Sequence, residues 1–144
     1  MHGLLKNAEI RVVGNPVSAG SSIDSNSSRI DMAGYESVMF VAPITDSVAT
    51  GVATLTVEQN DADSDAGMTA VTDSAATKTS AVDDDINNTA LVSELFKPNK
   101  RYVQAVRTSA TANIAYGSVI AVLVPLRKPA VQGDTVADSS QVSN

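Results

Sequence analysis

The chain has 144 residues, no cysteine, no tryptophan, 3% aromatic side chains and a formal net charge of −6. One domain of this length buries roughly two-thirds of the surface its unfolded chain exposes and needs no staples; without thiols, a disulfide framework and a thiolate metal site are both excluded. The acidic balance argues against nucleic acid, whose phosphates are bound by Lys and Arg displacing counterions, and no apolar run approaches the ~20 residues of a membrane-spanning helix.

Met1 to Asn7 lacks the apolar stretch of a secretory leader, so cytoplasmic synthesis is expected. The glycosylation triplets at Asn26 and Asn87 are therefore read as chance in a Ser/Thr/Asn-rich chain. Leu4 and Leu5 make residues 1–7 a candidate arm, because an exposed apolar pair on a terminus seeks a groove or an open sheet edge. His2 is the only histidine, and its terminal place removes the usual Ser-His-Asp and multi-histidine zinc arrangements, leaving it a solvated side chain.

From residue 8 to 129 helical periodicity is weak. Short β-branched segments between turn residues predict an all-β, antiparallel sandwich of about eight strands. Ala8 to Val13 is the first, closed by Gly14-Asn15-Pro16; Val17 to Asn26 is too polar to fill a core and reads as a loop, with a short strand near Ser28 to Asp31. Tyr35 to Pro43 is apolar on both parities, Val38, Phe40 and Ala42 on one face and Met39 and Val41 on the other. Such a strand is either central or turns its outer face to a partner. Gly51 to Gln59 alternates with Ala53, Leu55 and Val57 inward.

Asn60 to Gly67 is an acidic loop. A strand follows near Ala76 to Val82, with a short helix at Gly67 to Ser74 as the competing expectation. Asp83 to Thr89 is a turn, Ala90 to Phe96 a strand, and Pro98 ends it because proline cannot donate to a ladder. Arg101 to Thr108 and Asn113 to Pro125 are the last long strands, the second bent at Gly117. The expected core comprises Ile10, Val12, Val38, Phe40, Leu55, Val57, Val103, Ile120 and Val122. Residues 130–144 form a polar tail without periodicity, loose alone and ordered against a partner; with Arg127 and Lys128 before it, this end is a second candidate arm.

Little in the chain suggests chemistry. Asp61, Asp63 and Asp65 are spaced like ligands to a hard cation, but the glycine follows one position late for an EF-hand loop. Its twelfth position holds Thr72 where a bidentate Glu is required, so a solvated acidic loop is expected. Asp83-Asp84-Asp85 reads as an exposed turn of mutually repelling carboxylates. No glycine-rich phosphate loop precedes a helix, and no cofactor is expected. Arg101 and Arg107 share one parity and Tyr102 the other, predicting exposed guanidinium groups over a strand that packs Tyr102; protein contact is the functional use open to them.

Two blocks of sequence answer each other. Ile30-Asp31-x-x-Gly34-Tyr35-Glu36-x-Val38-x-Phe40 is followed, beyond the acidic loop after Gln59, by Pro98-x-x-Arg101-Tyr102-Val103 and an apolar strand running to Arg127-Lys128-Pro129. This pattern resembles small cement or decoration proteins of tailed bacteriophages. The resemblance implies a jelly-roll-like sandwich on the exterior of an expanded icosahedral capsid, a homo-oligomer (dimer or trimer) that bridges subunits of the major capsid protein and has no catalytic residues. Tyr35, Arg101, Tyr102, Arg107, Arg127, Lys128, Leu4 and Leu5 are the candidate contact residues. Two other classes stay open: a head–tail or tail adaptor, and a carbohydrate- or Ca²⁺-binding β-sandwich module.

Overall fold

The computed structural model describes residues 3–143; Met1, Asn144 and His2, the expected solvated terminus, lie outside the described residues. One helical turn, α1 (Leu4–Asn7), leads into β1 (Glu9–Gly14), β2 (Val17–Gly20), β3 (Asp24–Asn26), β4 (Ile30–Asp31) and the long β5 (Tyr35–Ser47). There follow β6 (Val52–Asn60), β7 (Thr69–Ala70), β8 (Ala76–Thr79), β9 (Thr89–Phe96), β10 (Tyr102–Ala110), β11 (Ile114–Tyr116) and β12 (Val119–Pro125).

The strands form two antiparallel sheets of six that pack face to face. In the first, the order runs β1-β12-β5, with β2 continuing the lane of β1, β11 that of β12, and β9 on the other side of β5. In the second, β6 lies between β10 and the pair β7 and β8, while β3 and β4 share the far side of β10. Short strands lying end to end reduce the twelve to eight lanes, four in each sheet. The pairing is nested: β1 with β12, β3 and β4 with β10, β5 with β9, and β6 with β7 and β8.

The expected strands at β5, β6, β9 and β10 are present, and the chain breaks at Gly117, whose N–H donates to Pro43 O at 2.9 Å. The region 17–26, expected as a loop, instead forms β2 and β3. Serine hydroxyls supply ladder bonds there that side-chain burial cannot: Ser27 Oγ accepts from Ala105 N at 2.9 Å, and Ser109 Oγ accepts from Ile23 N while donating to Gly20 O. Between Gly67 and Ser74 there are turns and β7 and no helix.

Val38, Phe40, Leu55, Val57 and Val103 are fully buried between the sheets, as expected, together with Ile44, Ile114, Val119 and Leu123. Ile10, Val12, Ile120 and Val122 are not in that core. β1 and β12 present the opposite parity, with Glu9, Val13, Val119, Ala121 and Leu123 inward. Continuously apolar β12 gives no parity signal, and on β1 a glutamate takes the inward position because it has partners there. The displaced residues lie on the outer face of the first sheet, in register with Met39 and Val41 of β5.

The chain after β12 lies along the free edge of β1. Ile10 N–H donates to Gln132 Oε1 at 2.8 Å and Val12 N–H to Thr135 Oγ1 at 3.2 Å. Gln132 Nε2 bonds the carbonyls of Leu5 and Ala8, and Ala130 N–H donates to Lys6 O. Both ends of the described chain are thus knitted into one surface beside β1.

Candidate functional site

At the end of the sandwich where β5 begins and β9 ends, two turns meet. In the first, Asp31 Oδ1 accepts the N–H of Ala33 at 3.0 Å, and Gly34 turns the chain at φ 86°, a left-handed conformation that disfavours any side chain. In the second, Lys97 to Arg101 carries β9 into β10. Backbone bonds stitch them: Met32 N–H to Arg101 O at 2.7 Å, Lys97 N–H to Glu36 O at 2.8 Å, and Leu126 N–H to Gly34 O at 2.9 Å. The fork of Arg101 then closes on Asp31, Nε to Oδ1 at 2.9 Å and Nη2 to Oδ2 at 2.8 Å. The two blocks of sequence are therefore one structural unit.

They surround an open cavity of about 450 Å³ lined by Met32, Tyr35, Glu36, Pro98, Arg101 and Leu126 among others. Its floor is apolar and its rim is basic. Lys97 Nζ stands 5.1 Å from the centre of the Phe96 ring, and the Arg101 guanidinium 5.4 Å from that of Tyr102. Lys100 reaches Asp61 at 2.7 Å, while Arg127 and Lys128, just past Leu126, are exposed; Lys128 Nζ donates to Asn7 O at 2.8 Å. The Arg101 fork holds the Asp31 carboxyl well below its ordinary value, at about 2, and Asp31 in turn raises Arg101.

Beside this unit Tyr35 joins a cluster that sequence reasoning missed. Its hydroxyl donates to Glu9 Oε2 at 2.7 Å, and Arg11 Nη2 donates to the same oxygen at 2.9 Å and to the Tyr35 hydroxyl at 3.0 Å. Burial and the bond to Glu9 raise the tyrosine pKa. The alternation of β1 puts Glu9 and Arg11 on one face, but with Ile10 and Val12 expected inward that face read as solvent-exposed; only the reversed parity makes Glu9 a buried carboxylate that needs a partner.

The remaining candidates separate. Leu4 is 86% exposed and Leu5 half-buried against the C-terminal segment. Arg107, expected on the surface, is 1% exposed. Its guanidinium lies between the sheets, with Nη1 donating to Gly117 O at 2.7 Å and Nη2 to Asn15 O at 2.8 Å and Ser25 Oγ at 3.3 Å. Desolvation lowers its pKa, and the buried ring of Tyr116 lies 5.7 Å away. Arg107 is a brace for the bend at Gly117 and the turn at Asn15, not a contact residue.

The acidic loop is folded onto the second sheet. Asp61 pairs with Lys100, Asp63 with Arg29 at 2.7 Å, and Asp65 accepts from Asn26 and Gln104, each at 2.9 Å. The three carboxylates face different partners, and among the described residues no group of three His, Cys, Asp or Glu converges as metal ligands would. No protein-family model matches the chain, and no curated protein matches it significantly.

Proposed function

We propose that this protein is a non-enzymatic virion component, a cement or decoration protein that binds the outer surface of an assembled phage capsid as an oligomer and bridges major capsid subunits. The observation that carries this reading is the convergence of the two resembling blocks. Separated by the whole acidic loop in sequence, they are stitched at one end of the sandwich, next to both ends of the described chain. The nested strand pairing supports the jelly-roll part of the reading, since a jelly roll is a long hairpin wrapped so that first and last strands pair.

The basic rim gives an otherwise acidic protein a place to meet acidic groups, with the apolar cavity as a seat for a side chain of the shell. Binding to the assembled shell and not to free capsid protein stabilises the shell by mass action, and symmetry repeats each weak contact many times. Co-sedimentation with undecorated heads tests the proposal. Intact protein is expected to saturate the heads, and Lys97→Glu combined with Arg127→Glu to reduce occupancy severalfold without changing the fold. Failure of the intact protein to bind any shell removes the cement reading. Unimpaired binding by the charge-reversed chain and by chains lacking residues 1–7 or 126–144 removes this end as the contact.

A further inference from the structure

Strand β9 forms the outer edge of the first sheet, and its backbone fixes which groups that edge offers. Lys97 N–H donates to Glu36 O, and these two residues continue the register that pairs Ser37 with Phe96, so they are a hydrogen-bonded pair. Alternation along an antiparallel ladder then turns the N–H and C=O of Leu95, Ser93 and Leu91 towards β5, and those of Glu94, Val92 and Ala90 towards the free edge. Pro43 agrees with this parity: it lies opposite Ala90, and its carbonyl points the other way, to Gly117 N–H. The outward groups of Ala90, Val92 and Glu94 bond no described residue, and all three residues are exposed.

The other outer strands are treated differently. On β1 the N–H groups of Ile10 and Val12 are taken by Gln132 and Thr135. Strands β2, β3, β4, β7 and β8 are only 2 to 4 residues long, and β8 carries Lys78, a residue type that guards sheet edges. β9 runs 8 residues without bulge, proline or lysine. Beside it, where the two sheets gape, lies a cavity of about 510 Å³ whose walls include Ala76, Ile86 and Leu91, the last two buried.

We infer that the free edge of β9 receives an extended segment of another protein as a further antiparallel strand. A row of unpaired N–H and C=O groups at strand spacing is satisfied in full only by another backbone, and the cavity seats the side chain that falls opposite Leu91. On the outer side the residue opposite Val92, itself 48% exposed, is best β-branched. Glu94 is the only charge on this strand of an acidic protein, so its cross-strand partner is Lys or Arg. Read along an antiparallel segment, these positions spell basic-x-β-branched-apolar. The chain itself contains no such sequence, which argues against a second copy as the occupant. The inference rests on the fold and is independent of the cement reading.

The probe is the blocked peptide Thr-Lys-Ser-Val-Leu-Thr-Thr, whose Lys, Val and Leu fall opposite Glu94, Val92 and Leu91. Titrated into the full chain, it is expected to bind saturably and to slow hydrogen exchange severalfold at the amides of Ala90, Val92 and Glu94. Methylating the backbone nitrogen of its Val, which faces β9, is expected to weaken binding at least about tenfold, whereas the same change at its Leu, which faces away, leaves binding within about twofold. Val92→Pro removes an outward N–H and no bond to β5, so it is expected to melt within a few degrees of the parent and to bind at least about tenfold more weakly. A peptide that does not bind saturably overturns the inference, as do Val- and Leu-methylated forms that bind alike. Protection at Thr77 and Thr79 in place of the β9 amides assigns the strand to β8 and overturns it. So does protection of the β9 amides on raising protein concentration without peptide, which assigns the edge to a second copy.

Discussion

Leu123 and Val122 are neighbours on β12 that face opposite ways, and replacing each with alanine tests the parity of the whole first sheet. Leu123 is fully buried against the second sheet, whereas Val122 lies on the outer face between Ile10 and Met39. Leu123→Ala removes three carbons, worth about 2.4 kcal/mol of transfer free energy at about 0.8 per methylene, and the incompletely collapsed cavity brings the loss to about 3–4 kcal/mol. Val122→Ala removes two carbons that water already reaches in part, a loss of about 1 kcal/mol or less. For 144 residues the unfolding entropy is about 0.3 kcal/mol per kelvin, so each kcal/mol moves the melting temperature by about 3 °C. The expected falls are about 10–13 °C for Leu123→Ala and about 3 °C or less for Val122→Ala, measured by circular dichroism at low protein concentration to keep self-association out. Val122→Ala melting lower than Leu123→Ala would mean that the inward set on β12 is the other one and would refute the register argument.

The Asp31 carboxyl is expected to titrate near 2 by carbon-detected NMR, and Arg101→Gln to return it towards the ordinary 3.8. Because its folded value is depressed, the stabilisation from this pair is fully present above about pH 4 and is lost as the pH falls through about 2. Deleting residues 130–144 is expected to speed hydrogen exchange at the amides of Ile10 and Val12, whose acceptors are Gln132 and Thr135, while Phe40 keeps its protection. Unchanged exchange at both amides would show that water replaces those acceptors without loss.

The strands were legible wherever one face is apolar and the other polar. β6 announces its inward residues Ala53, Leu55 and Val57 because threonines and a glutamate separate them. β12 does not, since Val119 to Val124 is apolar throughout and only pairing with β5 decides that Leu123 faces in. β2 and β3 were illegible because serine hydroxyls and the backbone of β10 and β11 hold them, leaving no hydrophobic pattern to read. At the candidate site, the two blocks were visible as sequence but their union was not. The bonds joining them run mostly between backbone groups, and the one side-chain link, Asp31 to Arg101, spans 70 residues. Arg107 misled because a guanidinium without a carboxylate partner is rarely buried; its acceptors are carbonyls exposed by a turn and a bend, which composition does not reveal.

The nested pairing also bears on how the chain can be made. The innermost partners, β6 with β7 and β8, close over a short loop, whereas the outermost join Glu9 to Leu123. Contact order is therefore high and the last closure waits for nearly the whole chain, which places folding among the slow, non-local β topologies. β12 lies between β1 and β5, so a nascent chain cut short before Val119 lacks the strand that pairs β1 with β5. Synthesis and folding are coupled in this way: the β1–β12 pairing that closes the first sheet is open to the chain only after residue 123 has been made.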